Sequence, residues 1–227
     1  MVTRIRSITI EQLLGHPLND IESKYAPPSV FASGAIDIPL RLPRVSIVGT
    51  RHASEVGLAR AREIATLLTK RNVIVVSGLA RGIDTAAHRA AIESNGKTIA
   101  VLGTPLYRYY PPENAELQEL IMRDHLAISQ FDLNHATRPQ DFVIRNRTMA
   151  LISDATVIIE AGESSGALSQ GWETLRLGRP LYIAEDAFSK QLRWPTEMAK
   201  YGAKKLQSLD ELLDELPLPD MDYVVPW

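Results

Sequence analysis

Six short apolar runs punctuate the chain: VSIVG at 45–49, VIVVSG at 73–78, TIAVLG at 98–103, LAISQF at 126–131, ATVIIEAG at 155–162 and PLYIAE at 180–185. Each is nearly continuous in hydrophobicity rather than alternating, the pattern of a strand buried on both faces. The segments between them carry a helical period. In residues 54–70, for example, Leu58, Ala61, Ile64, Ala65 and Leu68 fall on one face. This alternation predicts an α/β fold built on a parallel sheet with helices covering both sides.

The flanks read differently. Residues 1–24 suggest a small helical lead-in, and residues 25–44, broken by proline and glycine, an extended segment with one short edge strand. Ser208 precedes a periodic acidic-apolar run through 216, a good helix start, and residues 217–227 form an irregular tail. There is no internal repeat and no low-complexity block.

Composition narrows the function. With 227 residues, 45% of them hydrophobic and 23% charged, the chain suits one domain with a large core. A net charge of −2 gives no global basic field, so any polyanion site must be a local patch. The absence of cysteine excludes a disulfide scaffold, a thiolate nucleophile and a Cys-based zinc site. No cleavable apolar leader and no membrane-length run is visible, which points to a cytoplasmic protein without a membrane partner.

In open parallel sheets ligands sit beyond the carboxyl ends of the strands, where glycine-rich turns and helix N-termini present free N–H groups. Four strands here end in such loops: GTRHAS (49–54), SGLARGID (77–84), GTP (103–105) and EAGESSG (160–166). None is a dinucleotide fingerprint or a P-loop, so no NAD or ATP cofactor is expected. Glycines at strand ends are common in any such fold; the arginines beside them shift the balance. Arg51 follows Gly49 and Thr50, Arg81 lies between Gly78 and Gly82, and Arg145 and Arg147 flank Asn146 in FVIRNR (142–147). Their planar forks match phosphate oxygens and would make a local anion site on a near-neutral chain.

Other polar residues allow two readings each. Asp84 and His88 are four apart at a helix start, close enough to bond each other, with Asp84 acting most simply as a cap. Two such groups without a third do not make a metal site. Glu160 could orient a sugar hydroxyl, act as a base or pair with an arginine. No nucleophile elbow or partnered serine supports covalent catalysis. Tyr107, Tyr109 and Tyr110 surround Arg108 in a loop that could stack on bases or pack onto the domain.

Taken in order, SIVGTR (46–51), SGLARGIDTAAH (77–88), TIAVLGTPLYRYYPPEN (98–114), FVIRNR (142–147), VIIEAGESSGAL (157–168) and LGRPLYIA (177–184) resemble the DprA or Smf family of DNA-processing proteins. The likeness extends over roughly residues 25–216. It implies an extended Rossmann-like, doubly wound domain of three α/β/α layers that binds and protects single-stranded DNA in a positive pocket at the strand ends. It further implies a link to natural transformation, loading of a RecA-type recombinase, homodimer formation and no catalysis. Carried over by motif, the pocket would comprise Gly49, Thr50, Arg51, Ser54, Ser77, Gly78, Arg81, Gly82, Asp84, Arg145, Asn146, Arg147, Glu160, Ser165 and Gly166. Two stretches depart from the family pattern. The Ser-Gly-small-Leu-Ile-Thr-Ala run is SGALSQG here, and the Pro-Gly after the last core strand is Glu185-Asp186, an acidic pair that would repel phosphate at the rim.

Related Rossmann-like proteins supply the alternatives: a nucleotide sensor, or a hydrolase that releases the base from a nucleoside monophosphate. In the hydrolases a glutamate follows the fifth strand's glycine turn. Here Gln170 stands at that place and Glu173 comes three residues later.

Overall fold

The computed structural model describes residues 5–189 and 192–217. Nine strands form one sheet: β1 (Arg6–Ile8), β2 (Val30–Gly34), β3 (Arg44–Val48), β4 (Ile74–Ser77), β5 (Thr98–Leu102), β6 (Leu126–Ser129), β7 (Ala155–Ile158), β8 (Leu181–Ala184) and β9 (Lys204–Leu206). Their order is β1-β2-β6-β5-β4-β3-β7-β8-β9. From β6 to β9 all pairings are parallel, whereas β2 runs antiparallel to β6, and β1 to β2.

Among the described residues ten α-helices accompany the strands: α1 (Ile10–Leu14), α2 (Asp20–Tyr25), α3 (Glu55–Lys70), α4 (Ile83–Glu93), α5 (Ala115–Asp124), α6 (Asp141–Ile152), α7 (Ala167–Arg176), α8 (Glu185–Ser189), α9 (Trp194–Ala199) and α10 (Leu209–Asp214). Strand pleating divides the core between the faces. Val45 and Ile47 of β3 and Val75 of β4 pack with Ala61, Ile64 and Leu68 of α3 and Ala87 and Ala91 of α4. Ile99 and Val101 point the other way, into a cluster with Leu13, Met149, Ile152 and Trp194. Ala100 and Leu102 meet Leu117 and Ile121 of α5. Each central strand is therefore buried on both faces, which is why its sequence is uniformly apolar.

The doubly wound, three-layer architecture is the expected one; the edges differ. The lead-in holds α1 and α2 but also β1, too short to show a period. The strand in the proline-rich segment is not an edge: β2 lies between β1 and β6. Its Ala32 faces Ile128 of β6 and Arg6 of β1. Beyond β8 the sheet gains β9, three residues with two lysines that no hydrophobic pattern announces. The tail from 218 onward lies outside the described residues.

Crossovers turn in opposite directions on either side of β3, toward β4 through α3 and toward β7 later in the chain. The carboxyl ends of β3 and β7 thus bound the crevice at the topological switch point, where ligands bind in this architecture.

Candidate functional site

A pocket of about 440 Å³ opens at that crevice, lined in part by Gly49, Thr50, Arg51, Asp84, Arg145 and Asn146, with Ser165, Gly166 and Gln170 opposite them in sequence. A smaller cavity of about 200 Å³ shares Arg51, Ala80, Phe142 and Arg145 with it. Ten of the fifteen residues expected at the site contribute to one or both: Gly49, Thr50, Arg51, Gly78, Arg81, Asp84, Arg145, Asn146, Ser165 and Gly166.

Arg145 organises the site from below. It is 6% exposed, and its Nη1 donates to the carbonyl of Gly78 at 2.6 Å and to that of Val101, tying the ends of β4 and β5 together. Its Nε donates to Asn146 Oδ1 at 3.1 Å, and Nη2 has no hydrogen-bond partner among the described residues. Burial lowers its pKa to about 10, with the Asp84 charge opposing and the Arg51 charge adding to the fall. Gly78 is required here by the guanidinium itself: a Cβ would lie 2.4 Å from Arg145 Nη1.

Arg51 is exposed and sits over the Phe142 ring at 5.8 Å. No carboxylate pairs with it among the described residues. Across the pocket, α7 begins at Gly166 with its first amides already engaged: Ala167 N donates to Ser165 Oγ at 3.3 Å, Leu168 N to the Ser165 carbonyl at 3.1 Å and Ser169 N to the Gly166 carbonyl at 3.2 Å. Asn146 Nδ2 reaches the Gly166 carbonyl at 3.1 Å and Ser169 Oγ at 2.5 Å, holding that turn against α6. The pocket therefore offers an unpaired arginine and part of a second one, a combination suited to an anionic ligand.

The turn after β4 is built otherwise than its glycines suggest. Asp84 Oδ2 accepts from Gly78 N at 3.1 Å and Ala80 N at 3.3 Å, so a carboxylate already takes amides that a phosphate would use. Gly82, with φ of 72°, approaches the Thr50 carbonyl so closely that a Cβ would be 2.5 Å from it. Arg81 is half-exposed and ion-paired with Glu113, so its charge is largely offset. Ser77 is fully buried beneath the turn, donating to the Ile47 carbonyl at 2.7 Å.

Three further residues lie apart from the pocket. Arg147 pairs with Glu173 at 3.2 Å, on the side of α6 where Glu173 also meets Arg176. Successive helical residues diverge by about 100°, so 145 and 147 cannot share a direction. Glu160 and Ser54 line a separate cavity of about 340 Å³. There the Glu160 carboxylate accepts from Ser54 N and Oγ, both at 2.9 Å, while Ser54 caps α3. The acidic pair after β8 is offset as well, Glu185 by Lys205 at 2.6 Å and Asp186 by Arg60 at 3.4 Å. Asp84 is thus the one carboxylate among the residues lining the larger pocket. No cluster of His, Asp and Glu suited to a metal ion occurs among the described residues. No helix there is long and apolar enough to cross a membrane.

His88 does not bond Asp84. Fully buried, its Nδ1 meets Thr98 Oγ1 at 2.7 Å and its Nε2 has no partner among the described residues. Burial, with the nearby charges of His125 and Arg145, lowers its pKa to about 3, whereas burial raises that of Asp84 to about 6 against Arg145 and the amides. These shifts act oppositely on stability. Asp84 binds its proton more tightly folded than unfolded, so its contribution weakens as pH rises from 3.8 to about 6. His88 binds its proton less tightly folded, so its contribution weakens as pH falls from 6.5 toward about 3. Their slopes offset each other between roughly pH 4 and 6. In denaturant titrations across that range, Asp84→Asn should lose stability with falling pH more steeply than the parent chain; parallel curves would refute the assignment.

Phe142 is the residue that motif reasoning passed over. It stands at the first turn of α6 beneath Arg51 and lines both cavities; an aromatic residue three before a basic pair was the available signal. Among the tyrosines, Tyr107 donates to the Leu133 carbonyl, and the Tyr110 ring lies 5.1 Å from that of Phe142.

A doubly wound sheet with an arginine-bearing crevice at its switch point defines the class: a Rossmann-like α/β protein. Within that class the chain belongs to the DNA recombination-mediator protein A family, whose sequence model matches residues 11–217. It is 38% identical to the DNA processing protein DprA of Streptococcus pneumoniae over 191 residues, 84% of this chain and 67% of that one. The crystal structure of S. pneumoniae DprA superposes with a TM-score of 0.78 over 95% of this chain and 75% of its own, at 31% identity. DNA processing protein A of Helicobacter pylori, described for its single-stranded DNA binding mode, gives 0.76 over 94% and 95%, at 22% identity.

Proposed function

We propose that this chain binds single-stranded DNA without catalysis, holding phosphate between Arg51 and the edge of Arg145 that lines the pocket. The observation that carries this reading is the unpaired Arg51 above Phe142 at the mouth of the switch-point pocket. A cation beside an aromatic face suits a strand that offers both phosphate and base. The single-stranded DNA binding described for the H. pylori relative supports the same reading. Protection of incoming strands, handover to a RecA-type recombinase and homodimer formation are proposed from the family resemblance. The base-releasing alternative finds less support: Gln170, not a carboxylate, lines the pocket, and Glu173 is engaged by two arginines outside it.

Fluorescence anisotropy with labelled oligo(dT) at two salt concentrations tests the proposal. Binding should weaken with salt, by a logarithmic slope of about −0.7 for each phosphate neutralised. Absence of binding, together with thermal stabilisation by a mononucleotide, would favour the sensor. Arg147→Ala should leave both affinity and slope within about twofold of the parent, because a half-exposed surface pair contributes little. A tenfold loss in that variant would place the strand along α6 and α7 instead.

A further inference from the structure

Beside the switch-point pocket, the smaller cavity joins two kinds of chemistry that neither a simple anion nor an apolar ligand needs together. Tyr110, Pro111, Pro112 and Phe142 supply flat apolar walls, while Arg51 and His52 stand at the same surface. We propose that this cavity is a second nucleotide subsite, where the base adjoining the nucleotide in the larger pocket lies against Tyr110. The inference rests on the DNA-binding reading and extends it by one nucleotide in a stated direction, from Arg51 toward the loop at 105–114.

Three observations converge on it. Continuity comes first: Arg51, Ala80, Phe142 and Arg145 line both cavities, so a ligand in one meets the wall of the other. The anchoring of the loop is the second. Tyr107 donates to the Leu133 carbonyl, whereas the Tyr110 hydroxyl has no hydrogen-bond partner among the described residues. All three tyrosines are half-exposed, but of the three it is Tyr110 that lines the cavity. Geometry is the third: the Tyr110 and Phe142 rings are inclined by 45° at 5.1 Å, an open angle rather than a closed stack. Charge completes the arrangement. Glu113, which follows Pro112 in sequence, is engaged by Arg81, which leaves Arg51 to face the bridging phosphate.

Stacking of a base on an aromatic side chain depends little on which base it is, and its loss lowers affinity by roughly 5- to 150-fold. Tyr110→Ala should therefore weaken oligo(dT) binding by about tenfold while leaving the salt slope unchanged, since no phosphate contact is removed. Tyr110→Phe, which keeps the ring, should bind as the parent does. Oligonucleotides carrying 2-aminopurine should show quenched emission on binding the parent, and recovered emission with Tyr110→Ala. If alanine disturbs the fold, seen as a lowered thermal midpoint, Tyr110→Leu keeps the volume without the aromatic face and is read instead. Parent-like affinity in the alanine and leucine variants, with binding still lost in Arg51→Ala, would overturn the subsite and leave the DNA-binding reading standing. Failure of the parent chain to bind oligo(dT) would overturn both.

Discussion

Arg145→Ala is expected to destabilise the fold by about 3–5 kcal/mol, because two buried carbonyls lose a charged donor and each such hydrogen bond contributes about 1.5–3 kcal/mol. The deletion strips the Gly78 and Val101 carbonyls of their donor and leaves the Asp84 carboxylate buried without its nearest cation. Asp84 would then hold its proton to higher pH still. Denaturant unfolding at pH 7 reads the loss directly, and for a chain of this size a thermal midpoint lowered by roughly 10 °C should accompany it. Arg145→Lys should recover part of the loss: one ammonium can donate to both carbonyls, as Nη1 does, but Asn146 Oδ1 loses the donor that Nε supplies. An alanine variant unfolding with the parent would show that the β4 and β5 ends hold together without this bridge.

The second large effect concerns affinity. Arg51→Ala should lower oligo(dT) affinity by roughly 10- to 100-fold, the weight of a charge-assisted hydrogen bond of about 1.5–3 kcal/mol, with stability almost unchanged. Its guanidinium is exposed and unpaired among the described residues, and its charge already disfavours protonation of Arg145. Two cations held close in this way gain from an anion between them. The logarithmic salt slope should shrink by about 0.7 for each phosphate released. A variant that loses affinity at an unchanged slope would assign Arg51 to the base rather than to the backbone.

The central strands were legible because burial on both faces leaves a continuous apolar run, and the helices between them because a period of 3.6 survives in sequences such as 54–70. Strands of three residues carry no period at all, so β1 and β9 were invisible. The neighbours of β2 were hidden for a related reason: an antiparallel pairing with β6, nearly a hundred residues away in sequence, leaves no local mark. At the site, a motif shows which residues gather near a strand end but not which way each points. Arg145 and Arg147 look equivalent in RNR, yet one turns into the core and the other toward Glu173. Ser77, Ser54 and Glu160 occur at loop positions typical of ligand contact, but their hydrogen bonds run to the protein's own backbone and caps. Arg81 shows a further limit, since its counter-ion Glu113 lies 32 positions along the chain and is brought near only by the fold.

The two outermost strands of the sheet are each three residues long, and both carry cations, Arg6 on β1 and Lys204 and Lys205 on β9. Short, charged margins give another chain little backbone to pair with. The sheet is accordingly guarded at both margins against growth by edge-to-edge pairing with a further strand.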